Sequence, residues 1–386
     1  MKRIIYVSGT MDGEDFAQLF RGSAKIPGQQ AQKFSRLMIK GLAGNNVETV
    51  ALSGIPVTYT NCKKRFIGAK KHEKDGVLWH YPSVLNVRRI KNLWQMSAVF
   101  FKTAGYCMKR DSAVVCDVLN ASVSYGAALA ARLMGRECIG VVTDLPHLMV
   151  TGNTKAQTRL IGKITDKCTG YVLLTQAMNG EVNKKGKPYA IIEGLCDTNV
   201  GNKPKKSDEN AEKICMYAGL LDARYGVKAM VDAFVAARVE NASLHLYGSG
   251  PYAKELERIA KANPKIVYHG TVMNEEIVKA EQEASLLINP RPTHEEFTKY
   301  SFPSKNLEYM VSGTPVLTTC LPGMPKEYYP YVYLFKDESV LGMAKTLESV
   351  LSLDTATLEE KGRDAKKFVE ENKNCVSQTQ KLLEIL

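Results

Sequence analysis

Four residues in one short stretch are typed and spaced for binding chemistry: Arg291, Ser304, Lys305 and Glu308. Arg and Lys bring positive charge to phosphate oxygens, Arg as a planar fork and Lys as a point charge. Glu308 lies three positions after Lys305. On a helix, residues three and four apart share a face, so the carboxylate stands one turn beyond the cations. There it can accept from the vicinal hydroxyls of a sugar. Cations for a diphosphate beside a carboxylate for a sugar describe a nucleotide sugar; the plain alternative is an ordinary strand-loop-helix whose charges are solvated.

The elements that must position these residues are legible around them. The pattern predicts a buried strand over 284–289, a polar loop, a helix opening near 303–305, the turn Ser312-Gly313-Thr314-Pro315 and a second strand over 316–319. A helix N-terminus behind the carboxyl end of a strand presents unpaired N–H groups and a positive dipole end, both suited to phosphate.

The stretch resembles the donor site of retaining GT-B glycosyltransferases of family 4, whose pattern places two Glu residues either side of seven others. Here Tyr300-Ser301-Phe302-Pro303-Ser304-Lys305-Asn306-Leu307-Glu308-Tyr309-Met310 is followed by Ser312-Gly313-Thr314-Pro315-Val316. The second Glu is matched by Glu308, and Tyr300 stands in place of the first. With Asn289-Pro290-Arg291 upstream, the Phe-Pro-Ser-Lys form is similar to a variant among polysaccharide-assembly members. The resemblance implies a GT-B α/β fold, two Rossmann-like domains with parallel sheets facing across a cleft. It also implies a retaining transferase using a nucleotide sugar, a UDP-sugar above others. Glu308 would hold the ribose, Arg291, Ser304 and Lys305 the diphosphate, and backbone groups of Tyr300, Phe302 and Pro303 the sugar.

A chain of 386 residues is long for one core and suits two domains. Apolar residues at 45% and charged residues at 24% describe a globular chain. A net charge of +12 implies attraction to anions. The cations read as dispersed, with short clusters at Lys63-Lys64-Arg65, Lys70-Lys71, Arg88-Arg89-Ile90-Lys91 and 203–206. No nucleic-acid motif accompanies them, so nucleic acid is not an expected partner. A basic face toward an anionic membrane and generic solubility charge remain the two readings. Nine cysteines without a C-x-x-C pair point to a reducing compartment and away from zinc. Lys2-Arg3 leads only into the short run Ile4-Ile5-Tyr6-Val7, which is no signal peptide, and no apolar run approaches the roughly 18 residues of a spanning helix. The expected location is cytoplasmic, at the inner face of the plasma membrane where the basic face engages it.

Along the first half, strands are predicted over 4–7, 47–52, 76–80, 113–117, 138–143 and 170–175, with helices over 30–42, 91–108 and 126–134. The alternation argues for a parallel sheet whose ligands gather at the strands' carboxyl ends. The connection over 8–30 reads as a long, glycine-bearing loop, and Gly9 and Gly28 correspond by resemblance to glycines that approach donor and acceptor. After Val141-Val142-Thr143 the family commonly places a histidine at the reaction centre; here the aligned residue is Asp144, with His147 three further on. Either can bond a sugar hydroxyl, and His147 can titrate near neutral pH. The alternatives are a helix cap for Asp144 and an exposed loop histidine for His147. Asp144, His147 and Tyr300 are the candidate catalytic residues.

The domains are predicted at 1–200 and 213–366, joined by a polar linker over 201–212, with a terminal helix over about 367–386 returning to the first. In the second, Tyr217-Ala218-Gly219-Leu220 resembles a motif whose Arg and following Lys hold the diphosphate; Leu220 and Tyr225 occupy those places. Arg224, Arg291 and Lys305 are the substitutes. Val272 and Met273, after His269-Gly270-Thr271, would flank the base. His245 reads as a core histidine, His269 as structural, and His294 and Glu295 as a solvated loop near Arg291. No Asp-x-Asp metal site is evident, so neither metal nor cofactor is expected beyond the donor. The acceptor is read as a saccharide or lipid-linked saccharide. Two further classes stay open: a nucleotide-sugar epimerase of related architecture, for which Asp144 lacks a clear partner set, and an inactive nucleotide-binding homologue.

Overall fold

A computed structural model of the chain describes residues 2–23, 26–88, 90–148, 154–198 and 211–386. Two compact units divide it: Met1–Leu195 with Asn374–Leu386, and Cys196–Lys373. Residues 201–210 of the linker expected over 201–212 lie outside the described residues, as do Arg89 and the basic cluster at 203–206.

The first unit is built on a sheet in the spatial order Tyr189–Ile191, Gly170–Leu173, Cys138–Val142, Ser112–Asp117, Arg3–Ser8, Glu48–Ser53, Val77–Tyr81 and Lys70–Lys74. Its strands pair in parallel except the last two, which are antiparallel. Every residue of Ser112–Asp117 is buried, as continuous apolar runs require when both faces of a parallel sheet are covered. Lys70–Lys74 escaped the sequence pattern because it has no apolar face. As an edge strand it needs none, and its charges protect the open edge.

The second unit holds a parallel sheet in the order Ile266–Gly270, Ala242–Tyr247, Lys213–Ala218, Leu286–Asn289, Val316–Thr319 and Tyr333–Phe335. Strand order reverses between Lys213–Ala218 and Leu286–Asn289, and in the first unit between Arg3–Ser8 and Ser112–Asp117. Such switch points are where α/β sheets open a crevice for ligands.

Two expectations are corrected. The connection over 8–30 is not structureless, because Asp12 accepts from the Glu14 N–H and caps a helix over Gly13–Phe20. The terminal helix is two helices, Thr355–Asn372 and Cys375–Leu383. Asn374 interrupts them by turning its side chain to cap the second, accepting from Ser377 N at 2.9 Å. Phe368 and Val369 consequently pack into the second unit, and the chain joins the first only from Asn374.

Candidate functional site

The second unit's switch point gathers most of the residues singled out there. The helix Ser304–Val311 starts behind the strand Leu286–Asn289 with no side chain capping its first turn. A buried amide chain fixes it against the sheet: Asn289 Nδ2 donates to Asn306 Oδ1 at 2.7 Å, and Asn306 Nδ2 reaches Thr318 Oγ1 at 3.5 Å. One turn later the buried Tyr309 hydroxyl accepts from Ala218 N at 3.0 Å. The helix is thereby keyed to the strand Lys213–Ala218 and to both strands that flank it in the sequence.

Lys305 lies back over the end of Lys213–Ala218, where its Nζ donates to the Ala218 carbonyl and stands 5.4 Å from the Tyr217 ring centre. Burial pushes its pKa below the ordinary lysine value; Glu308 pulls it up and Arg291 adds to the lowering. The two cations and the carboxylate therefore share one local field. Gly219 has φ +153°, and a Cβ there would collide with Lys305 Nζ. Glycine is required at this position both for its backbone angle and for the close approach.

Arg291 follows its strand directly. Its guanidinium lies over the Tyr225 and Phe297 rings at 5.1 and 5.5 Å and donates to Ser301 Oγ at 3.4 Å. Tyr225, which stands where the resembling family places a cation, thus supports a cation supplied from elsewhere. Arg224 is engaged differently, paired with Asp222 at 2.6 Å. Tyr300 is half-buried at the end of the short turn Glu296–Lys299. The Phe302 ring is in the core against Tyr328, at 5.1 Å, which leaves its backbone as the part able to meet a ligand. Pro303 is buried, and Ser304 is exposed at the helix start.

Val272 is half-buried and Met273 exposed just before the helix Asn274–Glu283. Beside them, His269 stacks on Tyr247 at 4.2 Å, and its Nε2 lies 3.1 Å from His245 Nδ1. His245 is half-buried rather than a core histidine, since its strand's partner, Ile266–Gly270, is the sheet edge. Burial holds both rings below the ordinary histidine value, and the charge of His269 lowers His245 further. His294 is exposed, 3.8 Å from Glu295.

In the first unit, Gly9 follows the strand Arg3–Ser8 and lies against Asn120, whose Oδ1 would stand 2.5 Å from a Cβ on Gly9. Asn120 in turn donates to Asp117, which also accepts from Leu119 N at 3.0 Å. Asp117 was missed, although the apolar strand ends on it: its pKa is pushed up to about 6 by burial, against those two donors, with the Asp144 charge adding to the rise. Asp144 is exposed in a bend and His147 exposed in the following turn. Residues 145–148 after Asp144 form no helix for it to cap; Thr154 caps the next described helix, Lys155–Lys167. Gly28 begins the helix Gln29–Gly44 in the open and makes no close approach.

Among the described residues, two groups carry metal-ligating atoms in mutual reach. Asp12, Asp15 and His72 form one, with Lys70 and Lys74 paired to the carboxylates in the place of a cation. Cys116, Cys138 and Cys168 form the other, which scattered cysteines did not foretell because two paired strands and the C-terminal end of the helix Lys155–Lys167 bring them together. These three are sealed in the core, where the neighbouring Cys138 and Cys168 thiols, and then burial, raise Cys116 well above an ordinary thiol.

Residues 212–352, most of the second unit, match the family of glycosyl transferases group 1. No curated protein sequence matches the chain. Among solved structures, HepE of Anabaena in complex with UDP is 14% identical, with 100% of this chain and 99% of that one covered and a TM-score of 0.64. Sucrose-phosphate synthase of Thermosynechococcus elongatus is 12% identical over 100% and 98%, at 0.65. Trehalose 6-phosphate synthase of Burkholderia multivorans is 12% identical over 100% and 96%, at 0.63. The chain has the two-unit α/β fold of the GT-B proteins.

Proposed function

We propose that this protein is a glycosyltransferase that moves a sugar from a UDP-sugar to a hydroxyl of a saccharide or lipid-linked saccharide. The observation that carries the reading is the convergence of Lys305, Arg291, Glu308 and the uncapped start of Ser304–Val311 at the switch point. The similar fold of HepE, solved with UDP, supports the choice of base. As the sugar leaves, negative charge grows on the diphosphate. Lys305, Arg291 and the helix N–H groups stabilise that charge in place, which lowers the barrier without a divalent ion. Glu308 takes the ribose hydroxyls, and the backbone of Tyr300, Phe302 and Pro303 takes the sugar. Retention of configuration and a role in cell-surface polysaccharide assembly follow from the resemblance of the 300–316 motif. For proton handling on the acceptor side, the buried Asp117 joins the candidates Asp144, His147 and Tyr300.

Isothermal titration with UDP, GDP, ADP and TDP, with and without EDTA, tests this on the intact chain and on Lys305→Ala and Glu308→Ala. UDP-selective binding that survives EDTA is expected, weakened about tenfold or more by each substitution, since a hydrogen bond to a charged group is worth roughly 1.5–3 kcal/mol. Binding indifferent to both substitutions, in variants that melt like the parent, overturns the donor site. Turnover of a UDP-sugar only when acceptor is added separates transfer from epimerisation and from simple binding.

A further inference from the structure

The cations are dispersed along the chain, but the net positive charge is not, because one segment is poor in acidic residues. Residues 49–110 hold twelve Lys and Arg against two acidic residues, Glu73 and Asp75, a formal +10 of the chain's +12. Within the first unit, part of this segment folds as one patch. The short strands Phe66–Ile67 and Val84–Leu85 pair, Asn86 N donates to the Arg65 carbonyl, and Trp94 Nε1 donates to the Ser83 carbonyl at 2.9 Å. The patch exposes Tyr59, Phe66, Ile90, Leu93 and Trp94, with Phe66 57% and Leu93 61% accessible. Among them stand the exposed cations Lys63, Lys64, Arg65 and Arg88, the last 5.9 Å from the Tyr59 ring.

We propose that this patch docks the protein on a bilayer of anionic lipid. Charge complementarity selects the occupant: the cations suit anionic headgroups, while the aromatic and aliphatic side chains between them suit the headgroup-acyl boundary. A tryptophan whose N–H is already satisfied by the protein has an apolar ring to spend on that boundary. Leu93 and Lys91 of the same helix start also line a cavity of about 560 Å³ with Pro56, Asn120 and Ser122, so the docking face and the cavity share residues. A headgroup-bearing acceptor delivered by the bilayer arrives beside that cavity. The inference rests on the proposed function only for its purpose, naming the acceptor as lipid-borne; docking itself is independent of the donor.

The test is co-sedimentation of the whole protein with vesicles of phosphatidylcholine alone and of phosphatidylcholine with phosphatidylglycerol, at low and high salt. The chain has two tryptophans, of which Trp79 is buried, so Trp94 reports the contact by its emission. Binding only to the anionic vesicles, weakened by salt and accompanied by a blue shift absent in Trp94→Phe, is expected. Lys63→Ser/Lys64→Ser/Arg65→Ser should lose about a hundredfold in partitioning, at about fivefold per cation, with UDP binding unchanged. Phe66→Ser/Leu93→Ser should bind anionic vesicles more weakly at both salt concentrations while keeping the salt dependence, and parental binding by this variant overturns the proposal. Failure to bind anionic vesicles, equal binding to both kinds, an unmoved Trp94, or a triple variant that binds like the parent overturns the proposal. So does preference for a single-stranded RNA competitor that releases the protein from vesicles. UDP binding, measured on the same samples, tells failure of docking apart from failure of the donor site.

Discussion

Lys305 and Gly219 occupy adjoining space that leaves no room for a side chain on the latter. The ammonium takes the volume a Cβ would fill, and the Gly219 φ of +153° is one that other residues rarely adopt. Gly219→Ala should therefore both strain the backbone and push Lys305 off the Ala218 carbonyl. The expected result is a loss of roughly 1–3 kcal/mol in stability, read from a urea midpoint. UDP affinity should fall about tenfold or more with it. Retained affinity in a destabilised variant would mean that Lys305 does not act from this position.

Arg291 differs from Lys305 in what supports it. Its flat guanidinium lies over Tyr225 and Phe297, a placement that an ammonium reproduces poorly. Arg291→Lys keeps the charge and should still weaken UDP binding about tenfold, by roughly 1–2 kcal/mol of lost fork geometry and ring contact. Titration at two salt concentrations checks it, since the charge term should be unchanged between parent and variant.

The amide pair under the site was present in the sequence but had no visible role. Asn289→Ala removes the donor to Asn306 Oδ1 at a fully buried position, so a loss of about 1–3 kcal/mol is expected by chemical denaturation. Because Asn306 is in the first turn of Ser304–Val311, UDP affinity should fall as well. A stable variant with parental affinity would remove the pair from the site's support.

What the sequence made legible was local. The apolar runs around Ile4–Val7, Val114–Cys116 and Leu286–Ile288 declared buried strands, and the spacing of Lys305 and Glu308 placed both on one helix. What it hid depends on chain segments distant in sequence. Asp117 becomes perturbed by burial, which the distant strand Cys138–Val142 paired beside it helps to provide, while its near neighbours Leu119 and Asn120 donate against the rise. Tyr225 and Phe297 acquire a role only once Arg291 lies across them. Lys70–Lys74 has no periodic apolar signal, because an edge strand is defined by its neighbour. The break at Asn374 was hidden by an apolar periodicity that continues across it, while a side-chain cap restarts the helix.

Asp117 gives a pH dependence whose sign can be stated. Its folded pKa, about 6, lies above the ordinary carboxylate value of 3.8. Between these values the folded state holds a proton that the unfolded state has released, so this group's contribution to stability falls as pH rises from 4 to 7. A rise of about two units corresponds to an order of 3 kcal/mol. Asp117→Asn cannot ionise and escapes this loss, though it replaces one acceptor of the Leu119 and Asn120 donors. Relative to the parent, the variant should gain about 2 kcal/mol in urea stability between pH 4 and pH 7, whatever its offset at either end. A difference that stays constant with pH would show that Asp117 ionises normally. The same variant tests proton handling: loss of an inflection near pH 6 in the transfer rate, with UDP affinity unchanged, is the expected outcome if the carboxyl group acts in turnover.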